Sequence, residues 1–210
     1  MMYKTFFTLF MITLVTTNTN GVAGSKNAVS RSNREIVNNT CGKYKVPEEL
    51  VNAISTYYPG YKLVTYADFD KDMTRYLKQE HEPEPCAWLK ADFDGNKEQD
   101  YVVSLYKVFY NTYTWTDVIF LKNKHKFISV EIDRDKMDCD LACQKNGVEA
   151  YFELVPPGTT VKEFEGFTGT TRREATLKLP GIRMNIFERS SRVIFWDSSK
   201  KKFDCIYDED

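Results

Sequence analysis

The chain has 210 residues, enough for one sizeable core and cramped for two, with 29 basic against 30 acidic side chains. A formal net charge of -1 and a pI near 6.2 exclude a general nucleic-acid binder, which needs an excess of Lys and Arg on one face. A hydrophobic fraction of 42% excludes wholesale disorder.

The first residues have the layout of a secretory signal peptide. Met1-Met2-Tyr3-Lys4 is a short positive start, Thr5 to Val15 is apolar, and small residues follow at Gly21-Val22-Ala23-Gly24. The apolar run falls short of the roughly 20 residues of a membrane span. Residues 1–23 are therefore expected to be removed, leaving a soluble protein without a membrane span, secreted or periplasmic. Residues 24–45 are polar and aperiodic and read as a flexible lead-in carrying a glycosylation-type triplet, Asn38-Asn39-Thr40. Residues 46–210 are expected to form a single domain.

Order starts near Val46. Pro47, Glu48 and Glu49 suit a helix start, and Leu50, Val51, Ile54, Tyr57 and Tyr58 share a face before Pro59-Gly60 stops the helix. Tyr61–Thr65 reads as a short strand, and a second helix is expected from Asp68 as N-cap to about Gln79. From Cys86 the period becomes two. Strands are predicted at Ala87–Ala91, Tyr101–Val108, Thr114–Leu121 and Lys126–Ile132, with Asn123 in the turn between the last two. Further strands are predicted at Val148–Val155, Glu174–Leu179, Ile182–Glu188, Arg192–Trp196 and Phe203–Tyr207, divided by Pro, Gly and Ser turns. Helices followed by a long meander predict an α+β class, with N-terminal helices packed on a mainly antiparallel, meander-like β-sheet.

Five cysteines, Cys41, Cys86, Cys139, Cys143 and Cys205, fit two disulfides and one free thiol in an oxidising compartment, with the connectivity left open. Cys139 and Cys143 have no His nearby and no second pair at zinc-ligand spacing.

The segment with chemistry in it runs Ala91-Asp92-Phe93-Asp94-Gly95-Asn96-Lys97-Glu98-Gln99-Asp100-Tyr101. Counting Asp92 as one, oxygen-bearing side chains fall at one, three, five and nine: Asp92, Asp94, Asn96 and Asp100. The carbonyl of Glu98, at seven, supplies another oxygen. Curled into a loop, that set suits calcium, which takes six to eight oxygens in a flexible shell. An EF-hand is excluded: Lys97 stands where Gly is needed, Val103 where a bidentate Glu is needed, and both flanks read as strand. Asp, Asn and Gly are also ordinary turn residues, so the same segment could close a hairpin without metal.

This loop resembles the calcium loop of FG-GAP and VCBS-type sequences, Asp-x-Asp-x-Asn-x-x-x-Asp-Tyr entering a strand. More closely, the chain is similar to an uncharacterised group of exported bacterial proteins carrying one FG-GAP/VCBS-like calcium loop. Tyr57-Tyr58-Pro59-Gly60-Tyr61, the loop itself and Pro180-Gly181-Ile182…Phe187-Glu188…Phe195-Trp196-Asp197 carry that likeness. Lys97 departs from the Gly often found at its place, which stiffens the turn. An affinity on the order of 10⁻⁴–10⁻³ M, as in extracellular modules, is the expectation.

Other signals point to structure. Asp68-Phe69-Asp70-Lys71-Asp72 reads as helix capping, and Asp133, Asp135, Asp138 and Asp140 as a solvated acidic loop. His81 and His125, the only histidines, lack a neighbouring nucleophile motif. Tyr106, Phe109, Tyr110, Tyr113 and Trp115 read as core, with an exposed bend between Tyr110 and Trp115. The function expected is an exported, non-enzymatic binding domain with no catalytic residues, held by one structural calcium. Its partner would be a protein or cell-envelope component, as for a periplasmic inhibitor or immunity-type protein. The rival is a small secreted hydrolase using acidic residues beside the ion.

Overall fold

The computed structural model describes residues 46–110, 112–132, 147–165, 170–189 and 191–208. The signal peptide, the lead-in, Cys41, Cys139, Cys143 and the acidic loop at 133–140 lie outside the described residues. Of the two cysteines inside them, Cys86 is buried and Cys205 is a free, half-buried thiol.

Among the described residues eleven strands carry the fold. Lys62–Leu63 (β1), Trp88–Ala91 (β2), Asp100–Phe109 (β3), Thr112–Asn123 (β4) and Lys126–Ile132 (β5) make the first sheet, in which β4 lies between β3 and β5, and β1 and β2 share the other side of β3. Ala150–Val155 (β6), Gly181–Ile186 (β9), Ser191–Asp197 (β10) and Lys202–Asp208 (β11) make the second, ordered β11-β10-β9-β6. Thr160–Glu165 (β7) and Thr170–Thr176 (β8) form a separate antiparallel hairpin between β6 and β9. The helices are Glu48–Tyr57 (α1) and Lys71–Gln79 (α2).

This corrects the expected α+β class. Among the described residues 51% are strand and 16% helical, and the fold is mainly β. The layers explain why. Strand alternation sends Tyr101, Val103, Val118 and Phe120 to one face of the first sheet, where they pack on Leu50, Ala53 and Ile54 of α1. It sends Val102, Ile119, Leu121 and Ile132 to the other face, against Phe152, Ile182, Met184 and Ile194 of the second sheet. The second sheet buries its far side too, with Val155, Val193 and Ile206 against Val161 and Leu177 of the β7–β8 region. Helix α2 closes an edge, setting Met73 and Leu77 on Val64, Phe69, Ala87 and Val148. The dominant burial is therefore sheet on sheet, and each helix covers only one flank.

The simple meander is also corrected. Strand β6 pairs with β9, not with its neighbour in sequence, because the β7–β8 hairpin is interposed. That hairpin is anticipated only in part: the strand expected at Glu174–Leu179 covers just the end of β8, and none is expected at β7. Its second strand, Thr-Thr-Arg-Arg-Glu-Ala-Thr, contributes little apolar surface, and charged edge strands carry a weak period-two signal. Two boundaries shift as well. Asp70, not Asp68, caps α2, its Oδ1 accepting from the N–H groups of Asp72 and Met73 at 2.8 and 2.9 Å. Asn123 is the last residue of β4, paired with Lys126, so Lys124 and His125 make the turn. No helix among the described residues is long and apolar enough to cross a membrane.

Candidate metal centre

Strands β2 and β3 pair antiparallel with Lys90 opposite Tyr101 and Ala91 opposite Asp100, so residues 92–99 are the connection of a hairpin. Strand therefore flanks the loop on both sides, as its sequence implies. Within it the side chains divide by polarity. Phe93 is fully buried in the core between the sheets, while Asp92 and Asp94 on either side of it are half-exposed. Asp100, at the head of β3, is fully buried. One carboxylate oxygen each from Asp92, Asp94 and Asp100 lie within 4.8 Å of one another.

Short hydrogen bonds hold the loop in this shape. Asp92 Oδ1 accepts from the Gly95 N–H at 2.8 Å and its Oδ2 from the Lys97 N–H at 2.9 Å. Asp94 Oδ1 accepts from the Asn96 N–H at 3.0 Å, and Asn96 Oδ1 from the Glu98 N–H at 2.7 Å. Asp100 accepts from the Phe93 N–H on Oδ2 and the Lys122 N–H on Oδ1, both at 2.8 Å. A carboxylate oxygen has two acceptor positions, so one N–H on each leaves a lone pair for a cation. An all-oxygen, flexible set of this kind fits calcium; magnesium demands stricter octahedral geometry.

Three like charges this close oppose one another, and burial compounds the effect. Desolvation pushes the Asp100 carboxyl up to about 6 against the pull of its two N–H donors, with the charges of Asp94 and Asp92 adding to the rise. Asp94 is also raised, by burial first and by the Asp92 charge after the Asn96 N–H has pulled it down. A divalent cation among them would reverse that repulsion.

The expected ligands thus fare differently. Asp92, Asp94 and Asp100 converge. Asn96 stays in the loop, but its Nδ2 donates to the Lys122 carbonyl at 2.7 Å and to Asp94 Oδ2 at 3.2 Å, so its amide ties the loop to β4. Glu98 enters the expected set by its backbone carbonyl, not its carboxylate; the residue also lines a cleft between α1 and the β4–β5 hairpin.

Lys122 was missed by sequence reasoning, because nothing local marks it. Its N–H holds Asp100, its carbonyl holds Asn96, and its Nζ reaches Glu49 Oε2 of α1 at 2.6 Å. Glu49 Oε1 accepts from the Tyr101 hydroxyl at 2.6 Å. The donors Lys122 and Tyr101 hold the Glu49 carboxyl below its ordinary value, and burial and Glu49 together raise the Tyr101 hydroxyl. The loop is thereby braced on β4 and, through that strand, on α1.

Two loop residues adopt positive φ. Gly95, at +82°, also packs closely: an added Cβ would stand 3.0 Å from Leu179 Cδ1. Lys97, at the sixth position, has φ +71°, so it takes the backbone shape that Gly takes most readily. A left-handed non-Gly residue costs about 1–2 kcal/mol, partly offset because Gly is freer when unfolded. Lys97→Gly is expected to raise metal-free stability by up to about 1 kcal/mol, read as a shift of the denaturation midpoint at constant slope.

Of the remaining candidates, Tyr106 and Trp115 meet at a tilt with ring centroids 5.1 Å apart and pack against the α2 cluster, and Tyr110 is exposed at the β3–β4 tip. His125 lies in the β4–β5 turn and lines the cleft with Glu98. Comparison with known proteins finds no matching family, curated protein or solved structure.

Proposed function

We propose that this chain is an exported, non-enzymatic binding domain in which one calcium ion closes the β2–β3 connection and locks the edge of the first sheet. The convergence of Asp92, Asp94 and Asp100 within 4.8 Å carries the reading. The ion's role is structural: it joins two strand ends already fastened to β4 and α1 through Lys122. A hydrolytic centre would need an open coordination position facing a substrate cleft. Here Asp100 is sealed, and the cleft reached by Glu98 and Lys122 is lined by none of the three aspartates. Tyr110, exposed at the β3–β4 tip beside the exposed aliphatic Val108, is the aromatic contact assigned to a protein or envelope partner.

Thermal melting of metal-free protein with added calcium tests the proposal. At 10 mM calcium and a dissociation constant of about 10⁻⁴–10⁻³ M, mass action stabilises by about 1.4–2.7 kcal/mol, a rise of about 3–10 °C. Asp94→Ala, whose oxygens bond only inside the loop, should fold and lose that rise. An unmoved wild-type melt refutes the metal. Hydrolysis of glycoside or phosphodiester substrates by wild type, abolished in Asp94→Asn, refutes the non-enzymatic reading.

A further inference from the structure

Strand β4 runs from the Tyr110 tip to the β4–β5 turn, and at that turn a cleft of about 790 Å³ opens between the hairpin and α1. Clefts of about 300–1,000 Å³ are of the size that takes small organic ligands. Here the α1 wall carries Asn52 and Tyr57, and the hairpin wall carries Lys124, His125 and Lys126. The Tyr57 residue is 43% exposed, and its hydroxyl donates to the Phe127 carbonyl of β5 at 2.6 Å, which holds the ring in place without a ligand. Lys122 and Glu49 also line the cleft, but their ion pair neutralises both. Among the described residues, the side chains of Asn52, Lys124, His125 and Lys126 have no hydrogen-bond or ion-pair partner. Two unpaired lysines against the one carboxylate of Glu98 leave the lining with an excess of positive charge.

We propose that this cleft binds an acidic saccharide, a short chain of sugar rings bearing carboxylates, of the uronic acid type. Lys124 and Lys126 pair with its carboxylates, and the Asn52 amide offers ring hydroxyls both donors and an acceptor. The Tyr57 ring gives the apolar side of a sugar a surface to rest on. Glu98 accepts from hydroxyls and repels a dense anion, so charge without hydroxyls makes a poor ligand. The cleft contains neither the three aspartates nor Tyr110, and it stands whether or not the loop binds calcium or the tip meets a partner.

The chain has two histidines, and His81→Asn leaves His125 as the source of the one imidazole signal. Titrating metal-free protein with trigalacturonate at constant pH and ionic strength should move the His125 signal to saturation below about 10 mM, leaving that of His81 in place. The fully methyl-esterified trisaccharide keeps the rings without the charge, and end-capped triglutamate keeps the charge without the rings. Each should bind more weakly by about fivefold or more. Lys124→Gln with Lys126→Gln, both on the exposed turn, should fold and weaken trigalacturonate binding by about the same factor. No saturable shift, or a smaller ratio in any of these three comparisons, overturns the proposal.

Discussion

Phe93→Ala is expected to lower stability by about 3–5 kcal/mol, the range for emptying a fully buried aromatic site. Phe93 lies inside a metal-type loop, where such a cost is unusual. Its ring is fully buried and belongs to the cluster of Leu89, Val102, Phe152 and Met184 that joins the two sheets. Its backbone N–H meanwhile supplies one of the two donors to Asp100. Emptying the site therefore loosens the carboxylate that the loop must hold still. Denaturant unfolding should show the loss as a lower midpoint, and calcium titration of the still-folded fraction should show weaker binding. Phe93→Leu keeps most of the volume and should cost less than about 2 kcal/mol with calcium binding preserved. A Phe93→Ala protein within about 0.5 kcal/mol of wild type would mean that the loop is not anchored in the inter-sheet core.

That residue also shows how much could be read from the chain. The loop's ends were legible because two short apolar runs, Ala87–Ala91 and Tyr101–Val108, flank the acidic segment, and Asp92, Asp94 and Asp100 are local enough in sequence for spacing to bring them together. Phe93 drew no attention as an anchor, since a lone apolar residue among acids says nothing about which sheet covers it. Lys122 was invisible for the same reason: it lies 22 residues beyond Asp100, and its contribution is mainly backbone, which any residue type could make. The class was misjudged because α1 and α2 have strong amphipathic patterns out of proportion to their length. The second sheet announces its strands but not its partner, for nothing in Ile182, Met184 or Ile194 names Val102 or Ile119 across the core. Most of the β7–β8 hairpin lies outside the expected strands because its burial rests on few side chains, Val161 and Ala175 among them.

Metal-free protein is expected to lose stability as pH rises through the window from about 4 to 6, with Asp100 as the source. Its carboxyl titrates near 6 when folded and near 3.8 when exposed. Between those values the folded state keeps a proton that the unfolded state has released, so each upward step in pH favours unfolding. Above the window the buried charge costs its full amount, about 3 kcal/mol; below it the cost vanishes. Asp94, raised in the same direction, adds to the trend, whereas Glu49, lowered by Lys122 and Tyr101, opposes it. The Asp100 part is isolated by subtracting the profile of Asp100→Asn, which cannot ionise and should lack the loss. Calcium inverts the sign, because a cation binds the ionised carboxylates and must displace the proton. Saturated protein should gain stability as pH rises through the same window, so the calcium-induced melting shift should be small near pH 4.5 and full by pH 7.5. An equal shift at both values would place the ion elsewhere than against Asp100, and the three aspartates would then be only the turn that closes β2 onto β3.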